Sequence, residues 1–144
     1  MRKLLELANK KKKIVTGIMS GTSLDGLDIV LCNFSCKKSW NYKILKSQTI
    51  NYSDEWRNKL AVAPDLSGIE LLKLHKKFGK FIGDSVLSFL NNIDTKIDFI
   101  GSHGHTVFHQ SIKGLTLQIG DGIEIAATTG LTPRSAIRSV DVAL

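Results

Sequence analysis

Residues 14–34 read Ile14-Val15-Thr16-Gly17-Ile18-Met19-Ser20-Gly21-Thr22-Ser23-Leu24-Asp25-Gly26-Leu27-Asp28-Ile29-Val30-Leu31-Cys32-Asn33-Phe34. Two apolar runs are separated by a cluster of small, polar and acidic residues. The first run, residues 14–19, predicts a short strand, and the Ser-Gly-Thr-Ser cluster ends it. Leu27 to Phe34, rich in Ile, Val and Leu, predicts a second strand. Cys36-Lys37-Lys38-Ser39 suits a turn, and Trp40, Tyr42, Ile44 and Thr49 suit a third strand at about 40–50, although their alternation is imperfect. Two successive hairpin-like connections predict an antiparallel start to the sheet.

Downstream the periodicity changes. Residues 53–62 predict a short helix, with Ser53 as N-cap, Asp54 and Glu55 complementing the dipole, and Pro64 as terminator. A long helix follows. Ser67 and Glu70 form an S-x-x-E capping box, and Leu71, Leu74, Phe78, Phe81, Ile82, Val86, Phe89 and Leu90 recur at helical spacing. Gly79 and Gly83 lie in its middle, where each costs up to about 1 kcal/mol relative to Ala; close approach to the sheet would explain them. Asn91-Asn92 is the expected stop. Ile97 to Ile100 predicts a short buried strand opening into a Gly101–His105 loop. Two extended pieces, 106–109 and 115–119, flank a turn at Lys113-Gly114. A helix over 123–129 ends at Gly130, and a last strand is expected near 131–137. The order is three strands, helix, strand, helix, strand: an α/β domain with a mixed sheet.

Composition is that of an ordinary globular chain, with 42% hydrophobic and 23% charged residues among 144. The formal charge of +7 is local. Residues 1–13 carry Arg2, Lys3 and Lys10 to Lys13 against Glu6, leaving only +2 for the other 131. This reads as a solvated basic extension ahead of a domain spanning 14–144, so no nucleic-acid partner is expected. No stretch approaches the roughly 20 apolar residues of a membrane span, and the N-terminus lacks the apolar core of a signal peptide. A cytoplasmic location without a membrane partner is the expectation. Cys32 and Cys36 alone make a poor zinc set and are expected to be reduced thiols.

Three loops could carry chemistry. Ser20, Gly21, Thr22 and Ser23 can point backbone N–H groups and hydroxyls into one concavity, as phosphate cradles do; Gly21 permits unusual dihedrals. Asp25 and Asp28 could hold Mg²⁺ through water. A tight polar turn is the plainer reading of the same residues, and the Walker A pattern is absent. His103, His105 and His109 cluster with Gly104 and Thr106 at the carboxyl end of a predicted strand, where α/β sheets place ligands. Two histidines two apart on a strand would share a face, but no nearby acid or cysteine completes a metal set. Sugar hydroxyl or carboxylate recognition fits better, with one or two histidines structural. Gln118, Gly120 and Asp121 precede a helix N-terminus, which favours anions or is a simple helix-start loop.

The ordered stretches GIMSGTSLDGLD (17–28), LHKKFGKFIGDSV (74–86), GSHGHTVFH (101–109), TLQIGDGIEIAATTG (116–130) and RSVDVA (138–143) together resemble the anhydro-N-acetylmuramic acid kinase family. The resemblance runs from about residue 14 to the C-terminus. It implies the actin-, hexokinase- and Hsp70-like superfamily, with two ribonuclease H-like domains around a cleft, each opening with three antiparallel strands. It implies a sugar kinase that opens the 1,6-anhydro ring of a recycled peptidoglycan sugar and phosphorylates it, using ATP and Mg²⁺. Gly21, Thr22, Ser23, Leu24, Asp25, Gly26, Leu27 and Asp28 would then contact the ATP phosphates, with Asp25 toward the metal. His103, Gly104, His105, Thr106, Gln118, Gly120, Asp121 and Arg138 would approach the sugar.

The chain departs from that pattern at Pro133–Asp141. Arg138 and Asp141 hold register, so Ala136 stands where the family has its catalytic aspartate. A methyl group cannot accept a proton. Ser111 also replaces a proline expected two residues after His109. Leu144 falls before the glycine-rich continuation and the second domain that the family carries. The expectation is therefore a kinase fragment, inactive alone. The alternatives are a non-catalytic phosphate- or sugar-binding module and a non-functional remnant. One sheet face would lack covering helices, which favours self-association.

Overall fold

A computed structural model describes residues 9–134 of the chain. β1 (Lys12–Ser20) runs antiparallel to β2 (Gly26–Cys36), with Ser20 opposite Leu27 and Lys12 opposite Ser35. β3 (Trp40–Asn51) continues the meander. Its imperfect alternation has a cause. A bulge shifts the register from Leu31–Lys46 to Cys32–Ile44, so Leu45 is an extra residue and the inward phase switches there. β1 begins at Lys12, earlier than the apolar pattern suggested, because Lys10 reaches Asp98 at 2.6 Å and the Asp98 carboxylate accepts the Ile14 N–H at 2.8 Å.

α1 (Asp54–Ala61) starts at Ser53, whose hydroxyl accepts from the Trp56 N–H at 3.3 Å. Pro64 lies in a 3₁₀ turn, Ala63–Asp65. α2 (Gly68–Leu90) carries the expected capping box: Ser67 Oγ accepts from Glu70 N–H, and the Glu70 carboxylate accepts from Ser67 N–H. Its 23 residues span about 35 Å at 1.5 Å per residue.

β4 (Phe99–Gln110) lies parallel to β1, with Val15 opposite Phe99. It pairs antiparallel with β5 (Leu115–Ile119) and parallel with β6 (Pro133–Arg134). α3 (Gly122–Thr129) connects β5 to β6 and stops at Gly130, φ 67°. The sheet order is β3-β2-β1-β4-β5, with β6 beside the first part of β4. This is the mixed α/β sheet anticipated, with three antiparallel strands leading. The Gly101–His105 segment is not the loop expected: residues 99–110 form one continuous strand. The predicted strand near 131–137 is described only as far as Arg134.

The core lies on one side of the sheet. Leu27, Ile29, Ile100 and Ile119 from the strands meet Leu60, Phe78, Ile82, Phe89 and Ile125 from the helices, all essentially inaccessible. Each such side chain contributes about 1.5–3 kcal/mol by leaving water. Among the described residues the three helices cover only this face. Met19, 52% exposed, and Asp28 stand on the other face. Gly79 and Gly83 do mark a close approach, but to α3 and its entry loop rather than to the sheet. A Cβ on Gly79 would lie 2.6 Å from Asp121 O, and one on Gly83 would lie 2.6 Å from Thr128 Cβ. Among the described residues no helix is long and apolar enough to cross a membrane. Cys32 and Cys36 are both free thiols.

Candidate functional site

The β1–β2 loop leaves the sheet at Ser20, which is buried, and turns through exposed Thr22, Ser23 and Asp25. Leu24 N–H donates to Gly21 O at 3.4 Å, and Asp25 O accepts from Tyr52 N–H at 3.2 Å. The left-handed residue of the loop is Leu24, φ 59°, not Gly21 as the sequence suggested. That conformation costs a non-glycine residue about 1–2 kcal/mol, and Leu24 offsets it by packing its side chain on the core. The amides of Thr22 and Ser23 have no protein acceptor among the described residues. Two adjacent amides left without an acceptor are groups that an oxyanion would satisfy.

The rest of the segment 21–28 has other work. Leu27 is fully buried in the core, and Gly26 lies against the Ile50 backbone. Asp28 sits in β2 on the open sheet face, accepting a 2.6 Å hydrogen bond from the Thr49 hydroxyl. Asp25 lines a cleft of about 490 Å³ with Ser23, Asn51 and Arg57. Asp28 lines a different one, about 760 Å³, with Met19, Thr49 and His103. The two carboxylates are therefore not brought to one cavity. Among the described residues no group of three or more His, Cys, Asp or Glu is placed to hold a metal. Mg²⁺ needs only one or two carboxylates with water, and in this loop the exposed Asp25 is the carboxylate such a site would use.

In β4 the chain changes phase at Gly104, φ 71°. Ile18 pairs with Ser102 and Ser20 with His105, so His103 and Gly104 together oppose Met19 alone. Any side chain at position 104 would strike the Ile119 carbonyl, so this bulge needs glycine. The consequence is that His103 and His105 do not share a face, contrary to simple alternation. His105, 4% exposed, turns into the core against Phe78, their rings edge to face at 6.3 Å. Its Nδ1 lies 3.0 Å from Ser20 Oγ. Burial, and secondarily the neighbouring His103, hold the His105 pKa below its ordinary value. His103 stays half-buried, its Nδ1 donating to Gly104 O at 3.2 Å.

His103 also borders a third cleft, about 560 Å³, formed with Gln118, Gly120, Asp121, His75 and Ser102. Thr106, half-buried, pairs with Gln118 across the β4–β5 hairpin. The Gln118 amide donates to Thr116 Oγ1 at 2.6 Å. Asp121 caps α3: its Oδ1 accepts the Ile123 N–H at 2.9 Å, and Lys76 Nζ lies 3.4 Å from Oδ2 and 2.7 Å from Glu124. His75 stitches this loop to α2, accepting the Gly120 N–H on Nδ1 at 3.2 Å while its backbone carbonyl accepts the Asp121 N–H at 3.1 Å. The proton of His75 is thereby placed on Nε2, 3.9 Å from the Asp121 carboxylate.

The structure thus gathers His103, Gly104, Gln118, Gly120 and Asp121 around one cleft and keeps His105 in the core. Ala136 and Arg138 lie outside the described residues. Sequence reasoning missed Thr49, Tyr52, His75 and Lys76 as site residues. His75 was the one most open to recognition, since it lies in the motif at 74–86 one helical turn before Gly79.

A family model described as anhydro-N-acetylmuramic acid kinase matches residues 13–144. An anhydro-N-acetylmuramic acid kinase of Pseudoalteromonas translucida is 38% identical, covering 98% of this chain and 39% of the relative. A second of that name, from Acaryochloris marina, is 38% identical over 90% of this chain and 36% of its own length. A third, from Vibrio cholerae, is 33% identical over 93% of this chain and 38% of its own length. The chain spans less than two-fifths of the length of these relatives.

Proposed function

Since the chain belongs to the anhydro-N-acetylmuramic acid kinase family, we propose that it supplies the nucleotide-phosphate wall and part of the sugar wall of a kinase cleft. In the proposed reaction, water attacks C1 of 1,6-anhydro-N-acetylmuramic acid and the C1–O6 bond breaks. O6 takes the γ-phosphoryl group of ATP, giving N-acetylmuramic acid 6-phosphate and ADP, a step of peptidoglycan recycling. The observation that carries this reading is the 21–25 loop, where the Thr22 and Ser23 amides have no acceptor among the described residues and Asp25 is exposed. Phosphoryl transfer depends on in-line positioning and neutralised oxygen charge, which such a loop provides. Mg²⁺ carried with the nucleotide would add to that neutralisation, and Asp25 would hold it through water.

Within the segment 21–28, Gly21, Thr22, Ser23 and Asp25 face the nucleotide, while Leu24, Gly26 and Leu27 fix the loop's shape. Asp28 approaches from the open sheet face. His103, Thr106, Gln118 and Asp121 receive the sugar, with Gly104 and Gly120 allowing its approach; Arg138 joins them by resemblance. Attack by water needs a base, and Ala136 offers a methyl group in that place. The chain should therefore bind Mg-ATP without turning it over. The second reading, a non-catalytic phosphate- or sugar-binding module, draws on the same Ala136. Either protein would act in the cytoplasm on small molecules rather than on nucleic acid or membrane, and the sheet face that no described helix covers favours homo-oligomers.

The test uses the purified chain with Mg-ATP and the anhydro sugar. Ligand at a hundredfold excess over its Kd adds about 2.7 kcal/mol of stability, so melting should rise with millimolar Mg-ATP. Phosphorus NMR should show no new phosphomonoester. An unchanged melting temperature would remove the nucleotide site, and a phosphomonoester signal would show that position 136 is not where the base acts.

A further inference from the structure

Tyr52 touches the loop at both of its ends. It leaves β3 just ahead of the Ser53 cap, and its backbone N–H donates to Asp25 O at 3.2 Å. Its hydroxyl donates to Ser20 Oγ at 2.8 Å. Ser20 and Asp25 are the residues that bracket 21–24, so one side chain and one amide of a single residue hold both rims. The ring itself is 2% exposed, packed on Phe78 and Phe81 with centroids 6.2 and 5.9 Å away. Burial pushes the Tyr52 hydroxyl up to about 12, so it remains a donor.

The chain of bonds continues. Ser20 Oγ accepts from Tyr52 and also shares a hydrogen bond with His105 Nδ1, 3.0 Å away. His105 sits directly after the Gly104 bulge that borders the sugar-side cleft. Apolar residues of similar size would fill this space without desolvating three polar groups. Buried hydrogen bonds of this kind add direction, which packing alone does not.

We propose that Tyr52 is a positioning residue for the nucleotide loop, clasping its two ends, and that Ser20 and His105 extend the clasp to the β4 bulge beside the second cleft. The proposal rests on reading 21–25 as a phosphate loop for its consequence in binding, but not for its consequence in loop order. With the clasp in place the Thr22 and Ser23 amides are held ready before ligand arrives, and the ordering cost on binding falls.

The experiment compares Tyr52→Phe and Phe81→Leu with the parent chain, by hydrogen exchange resolved to the Leu24 and Tyr52 amides and by calorimetric titration with Mg-ATP. Tyr52→Phe keeps the ring and removes the hydroxyl; Phe81→Leu disturbs the same aromatic cluster without touching the loop's hydrogen bonds. Loss of one buried hydrogen bond should speed exchange of the Leu24 and Tyr52 amides, which donate to Gly21 O and Asp25 O, about five- to tenfold and weaken Mg-ATP by a similar factor. Phe81→Leu should lower melting yet leave loop exchange unchanged. Parent-like exchange in Tyr52→Phe, or equal acceleration in both variants, would overturn the clasp. Loosening of the loop in Tyr52→Phe while the parent chain binds no Mg-ATP would uphold the clasp and remove the nucleotide reading instead. Should Tyr52→Phe not fold, Ser20→Ala removes the acceptor of the same bond and carries the same outcomes.

Discussion

Replacing Gly79 by alanine sets two effects of known size against each other. In an unstrained helix interior the change stabilises by about 1 kcal/mol. Here the new methyl would lie 2.6 Å from Asp121 O, 2.7 Å from Asp121 N and 3.0 Å from its Cα, whereas ordinary contact begins at 3.4 Å. These are backbone atoms, so no rotamer relieves the overlap; the 120–121 loop must retreat by roughly 0.8 Å. Overpacking of that kind costs about 1–3 kcal/mol, for a net loss of about 0–2 kcal/mol. At about 3 °C per kcal/mol for a chain of this size, melting falls by up to about 6 °C. The same shift strains the bonds from Asp121 and Gly120 to His75 at 3.1 and 3.2 Å. Gly120 and Asp121 border the cleft proposed for the sugar, so sugar binding should weaken together with stability. Gly68→Ala is the control, because no atom lies within 4 Å of its Cβ position. Melting curves and titration with the anhydro sugar read both quantities. A Gly79→Ala chain as stable as Gly68→Ala, with sugar affinity unchanged, would refute the close-approach reasoning.

Other expectations follow from the core and its charges. Phe78→Ala should cost about 3–5 kcal/mol, seen as loss of a cooperative thermal transition, since Phe78 packs on Tyr52, Trp56, Phe81 and His105 together. His105 has a folded pKa below its ordinary value, so the unfolded chain takes up the proton first. Stability should rise with pH through that window and fall as pH drops below about 6.5. Denaturation at stepped pH should show a flatter dependence for His105→Gln than for the parent. Burial raises the Asp98 pKa, but the Lys10 ammonium and the Ile14 N–H outweigh it and hold the carboxyl below 3.8. Its contribution is present above that value and lost as pH falls through the folded pKa. Asp98→Asn should cost about 1.5–3 kcal/mol at neutral pH, measured by urea titration, and should blunt the acid transition.

Elements governed by local rules were legible in the sequence. Both Ser-capped helices start at the residue expected, because the caps are made within a few positions of chain. β4 was misread because Gly101 and Gly104 look like turn residues, whereas Gly104 is there to let a bulged strand pass the Ile119 carbonyl. That requirement comes from a strand neighbour 15 residues away, which no local pattern reveals. The phase of the histidines followed the same bulge, so His105 went inward unannounced. Gly79 and Gly83 announced a close approach but not its partner. Tyr52 had no local signal, since its two bonds reach back across the hairpin to Ser20 and Asp25.

The central claim is that residues 21–25 form a cradle for nucleotide phosphates, and amide chemical shifts test it most directly. Mg-ATP titrated into the isotope-labelled chain should move the Thr22 and Ser23 amide resonances saturably, with smaller movements at Gly21 and Asp25 and none along β3. Saturable shifts centred elsewhere, or no shift at those two amides at millimolar Mg-ATP, would contradict it.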